Sequence, residues 1–116
     1  MDLTEFYQSM EINSRQVICR FQGEKRVLCY LQQFLTDPAY PRLVCSLQHD
    51  DFESAYHAAH ALMGLCQNLS LAPLQRSSSR LMRALREDMP HAFIASLYAE
   101  VAADYQRTTD AIRAIQ

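Results

Sequence analysis

The sequence predicts an all-α domain, an up-down antiparallel four-helix bundle with additional short N-terminal helices. Three observations predict it. Apolar residues recur at three- and four-residue spacing along almost every segment, the period of helices that turn one face inward. Glycine stands only at 23 and 64, and proline only at 38, 41, 73 and 90, so helix-breaking positions are few and localised. The segments between them are joined by short connections, which make consecutive helices run antiparallel.

A first short helix spans roughly residues 2 to 10, with Leu3, Phe6, Tyr7 and Met10 on one side. Asn13 is a ready N-cap for a second helix carrying Val17, Ile18 and Phe21. These two read as a lid of short helices. Beyond Gly23, the residues Val27, Leu28, Leu31, Phe34 and Leu35 mark a third helix. It must stop near Asp37, because Pro38 disfavours helical geometry in the residue before it. Leu43, Val44 and Leu47 mark a fourth, short one. Asp50 and Glu53 stand at capping-box spacing, so the central helix is expected to begin near 51 and run to about Leu69. Ser70 is placed to cap the next helix, with Pro73 tolerated in its first turn and Leu74, Ser78, Leu81 and Leu85 as its inner stripe. Asp88 and Pro90 then open a last helix patterned by Ile94, Leu97, Val101, Tyr105, Thr108, Ile112 and Ile115.

With 116 residues, 49% apolar and 21% charged, the chain fits a single domain spanning 1–116. Its net charge of -2 is spread over interspersed signs, which excludes an electrostatic footprint for nucleic acid or for an anionic membrane surface. There is no apolar run of transmembrane length, and Met1-Asp2-Leu3-Thr4-Glu5 has neither the basic start nor the apolar core of a secretory signal, so a cytoplasmic protein is expected. Cys19, Cys29, Cys45 and Cys66 stand singly in helical patterns without a Cys-x-x-Cys pair, and are expected to be buried free thiols. No glycine-rich nucleotide loop, carboxylate dyad or Ser/Cys nucleophile arrangement is present, so neither a cofactor nor a self-contained kinase or hydrolase is expected. Nothing in the pattern demands more than a monomer.

The central helix carries the chemistry. Residues placed 100° apart put Ala55, Ala59, Leu62, Cys66 and Leu69 on the core side and His60 on the opposite, solvent side. Gly64 follows His60 by one turn and Gln67 by two, while Tyr56 and Met63 flank the stripe. A glycine inside a helix costs about 1 kcal/mol relative to alanine, so a close approach to the His60 ring by a partner is one reason to keep it there. An exposed, neutral imidazole offers a ring nitrogen as nucleophile. His57 shares that side, but no carboxylate or thiol is placed to complete a metal site with His57 and His60, and no metal is expected. Arg76, Arg80 and Arg83 share one face of the following helix, read as a solvated face that could also meet an acidic partner. Ser77, Ser78 and Ser79 are assigned no role.

The segment Ala59-His60-Ala61-Leu62-Met63-Gly64-Leu65-Cys66-Gln67-Asn68-Leu69-Ser70 resembles the motif of histidine-containing phosphotransfer (HPt) domains, A-H-x-L-K-G-x-x-x-N-L-G. Ala59, His60, Leu62, Gly64, Asn68 and Leu69 agree with it, and the stretch from Arg26 to Leu35 followed by Asp37-Pro38 is similar to small stand-alone members. The resemblance covers nearly the whole chain. It implies a four-helix bundle in which His60 accepts a phosphoryl group, with receiver domains of response regulators or hybrid histidine kinases as partners. On that reading Gly64 gives a partner clearance, Gln67 donates to phosphoryl oxygens, and Tyr56 and Met63 form docking surface. Two positions depart from the motif: its lysine is Met63 and its second glycine is Ser70. The lysine charge is worth on the order of 1 to 4 kcal/mol at surface dielectric. Its loss favours a second expectation, a docking module that binds receiver domains or kinases without efficient transfer. A third is a helical interaction domain in which His60 is incidental.

Overall fold

The periodicity resolves into seven helices and no strand among residues 1–115, which the computed structural model describes: α1 (Leu3–Gln8), α2 (Ser14–Arg20), α3 (Glu24–Phe34), α4 (Ala39–Gln48), α5 (Phe52–Leu69), α6 (Ala72–Arg86) and α7 (His91–Arg113). Short acidic and amide side chains start several of them by accepting the free backbone N–H groups of the first turn. Asp2 accepts from Glu5 N (2.8 Å), Asn13 from Arg15 N (3.0 Å) and Asp51 from Ser54 N (3.1 Å). Hydrogen bonding to Ser54 holds the Asp51 carboxyl below the usual carboxylate range. Asp37 accepts from Ala39 N (2.9 Å), which lets α4 start at Ala39 and run longer than its apolar residues suggested.

Helix exits explain where the expected boundaries fail. Five of the six connections turn on a non-glycine residue in the left-handed region: Glu11 (φ 61°), Gln22 (62°), Asp50 (52°), Ser70 (57°) and Asp88 (52°). After each, the next N–H reaches back to a carbonyl near the end of the finished helix, as in Asp51 N to Ser46 O (2.9 Å), Leu71 N to Cys66 O (2.8 Å) and Met89 N to Ala84 O (3.1 Å). That closure satisfies carbonyls that the helix leaves open. Asp50, Ser70 and Asp88 therefore end α4, α5 and α6 instead of starting their successors. The N-cap of α5 is Asp51 rather than Asp50, and α6 and α7 begin after Leu71 and Pro90 without a side-chain cap.

α5 lies at the centre, packed against α4, α6 and α3, and α7 packs on α6. Ala55, Ala58, Ala59, Leu62, Cys66 and Leu69 form its buried face. Ser77 and Ser78 are buried on α6, where their hydroxyls donate to Leu74 O (3.3 and 2.6 Å) and their small size suits close helix packing. α4 and α7 meet through Tyr40 and Tyr105, whose rings stack at 3.8 Å, with Phe34 of α3 against the same Tyr105 at 5.9 Å. The lid of two N-terminal helices is fastened to α5. Phe6 and Tyr7 are fully buried, and the Tyr7 hydroxyl donates to Leu69 O (2.8 Å) at the end of α5. Arg20 of α2 donates to Asn68 O and to Ser70 Oγ (3.1 Å for the latter). Burial keeps the Tyr7 hydroxyl protonated, against a smaller opposing pull from Arg20.

Three of the four cysteines depart from expectation. Cys19, Cys29 and Cys45 are exposed, because the inward faces of their helices are taken by Val17, by Leu31 with Phe34, and by Leu43. Cys66 is buried in the core, where desolvation pushes its thiol pKa up, and all four are free. No helix among the described residues is long and apolar enough to cross a membrane.

Candidate functional site: the histidine face of α5

α5 has 18 residues, about 27 Å at 1.5 Å per residue, and His60 is near its middle. The small and apolar residues that face the core leave His60 exposed on the other side, with Gly64 and Gln67 exposed beyond it in the same stripe. Tyr56 and Met63 are half-buried, and Tyr56 stands near Leu85 and Arg86 of α6. Of the five residues singled out in the sequence, His60 and Tyr56 are in contact, and Gly64 and Gln67 are exposed further along α5. The His60 ring lies parallel to the Tyr56 ring, with 6.2 Å between centroids and 5° between planes. That spacing is within the 4.5–7 Å range of favourable ring pairs and leans the imidazole toward the start of the helix.

Among the described residues nothing packs against Gly64. A Cβ at that position would meet no heavy atom within 4 Å. The helix could carry alanine there and gain about 1 kcal/mol of propensity, so the open space lies on the outside of α5.

α5 contains neither lysine nor arginine. Of the four arginines on α6, Arg80 pairs with Glu100 of α7 at 3.4 Å, Arg76 and Arg83 are exposed, and Arg86 lines a shallow pocket with Tyr56, Glu53 and Asp88. Among the described residues no group of three His, Cys, Asp or Glu side chains is arranged to hold a metal ion.

Two features of the site escaped the sequence. The His57 ring meets the Tyr56 ring edge-on, at 5.3 Å and 70°. Neighbours in sequence on a helix do not normally face each other, so this contact is set by the two rotamers, and it gives His57 and His60 one aromatic neighbour in common. On its other side His57 helps line a groove of about 590 Å³ between α4 and α5, with Arg42, Cys45, Ser54 and Ala61 among its walls. The spacing of His57 placed it near His60, but only the rotamers bring it onto Tyr56.

Set against known protein families, characterised proteins and solved structures, the chain matches none.

Proposed function

We propose that the chain is a cytoplasmic histidine phosphotransfer protein whose His60 accepts a phosphoryl group from an aspartyl phosphate of a receiver domain, alone or within a hybrid kinase, and passes it to another. In this reading α4 to α7 are the up-down four-helix bundle and α1 to α3 are its additional helices. One observation carries the proposal: an exposed imidazole in the middle of the central helix, followed one turn later by an exposed glycine that internal packing does not require. The HPt-like motif residues Ala59, Leu62 and Leu69 support it from the core side, where all three are buried.

The chemistry is a transfer between two nucleophiles. The lone pair of one His60 ring nitrogen attacks phosphorus while the bond from phosphorus to the donor carboxylate oxygen breaks, its electron pair leaving on the carboxylate. The other ring nitrogen keeps its proton, which then equilibrates with water. Positioning and charge neutralisation supply most of the rate in such transfers, and the partner contributes to both. Tyr56 orients the ring, Gly64 admits the partner, and Gln67 donates to the phosphoryl oxygens.

Met63 favours a second reading, in which the face docks receiver domains without efficient transfer. Acid-labile label from a panel of phosphorylated receiver domains separates the two. Label on the wild type and none on His60→Gln is expected, with the variant's stability within about 0.5 kcal/mol because the site is exposed. Binding without label from any donor points to the docking module.

A further inference from the structure

A phosphoryl group brings roughly two negative charges to a helix that contains no lysine or arginine. The cation-capable side chain nearest in sequence to His60 on α5 is His57, one turn earlier, where Cβ atoms are about 5–6 Å apart. Its ring is edge-on to the Tyr56 ring on which His60 is stacked, so both imidazoles share one aromatic neighbour. Resting on the phosphotransfer reading, we propose that His57 donates a ring N–H to the phosphoryl oxygens on His60 and, once protonated, supplies the positive charge that Met63 does not.

The surroundings permit this. Across the groove, α4 and its entry present Asp37, Arg42 and Cys45 to His57. Asp37 is occupied in accepting from Ala39 N. On the Tyr56 side stand Glu53 of the same helix and Arg86 and Asp88 at the end of α6. Phosphorylation of His60 tips this mixed setting toward protonated His57, which takes its proton from water.

The test uses the full chain loaded at His60 with phosphoramidate, following the ring protons of His57 and His49 by NMR from pH 5 to 9. The His57 midpoint is expected to rise on loading by the equivalent of a two- to fivefold gain in proton affinity, the range of exposed ion pairs, with His49 unmoved. In equilibrium with a phosphorylated receiver domain, His57→Gln is expected to hold about two- to fivefold less phosphate, and His57→Lys to restore it. A His57 midpoint unmoved, or moving together with that of His49, overturns the assignment while leaving His60 as carrier. Absence of a phosphoryl group on His60 overturns both.

Discussion

The middle and the C-terminal end of α5 are held in opposite ways. At the end, Tyr7 and Arg20 from two helices distant in sequence bond to Leu69 O, Asn68 O and Ser70 Oγ. In the middle, His60 and Gly64 are exposed, and Gly64 has open space around it. The helix is fastened two to three turns from its histidine, so residues that stabilise it and residues offered to a partner are separate sets. A rigid element with one free face suits docking, because little order has to be gained on binding.

The largest test of that separation is Tyr7→Ala. Removing this buried ring and its hydroxyl is expected to cost about 3–5 kcal/mol, read as a fall in thermal midpoint, while phosphate acceptance by the folded fraction stays unchanged. A loss of acceptance in the folded protein would join the two regions that the comparison keeps apart. Gly64→Ala works in the other direction. It is expected to raise stability by up to about 1 kcal/mol in denaturant melts and to weaken binding of a receiver domain, since the methyl group points to where the partner comes. Unchanged binding would mean that the partner stays clear of Gly64. The smallest expected effect is that of Met63→Lys, about a fivefold gain in transfer rate, the low end of what the charge is worth because the site is exposed. Slower transfer would show that the apolar flank matters more than the charge.

The helical pattern was legible because burying one face needs apolar residues every three or four positions, whatever the partner. It located the buried stripe of α5 and hence the exposed side bearing His60, Gly64 and Gln67. The boundaries were harder to read. Asp50, Ser70 and Asp88 belong to residue types that start helices, yet each takes a left-handed conformation that ends one. Asp tolerates that region and also caps N-termini, and local sequence does not distinguish the two uses when helices follow each other within two to four residues. Cysteines 19, 29 and 45 misled for a similar reason, since a cysteine within an apolar pattern falls inward or outward according to which neighbours fill the core.

By itself the sequence determined that the chain is helical, which side of its central helix is buried, and that a histidine and a glycine lie one turn apart on the other side. These follow from periodicity, a property of neighbours along the chain. Only the tertiary structure decided that α1 and α2 fasten the end of α5, that Arg80 is engaged by Glu100, and that His57 turns onto Tyr56 beside His60. The first two join residues far apart in sequence, and the third is a choice among rotamers, which packing settles and periodicity does not record.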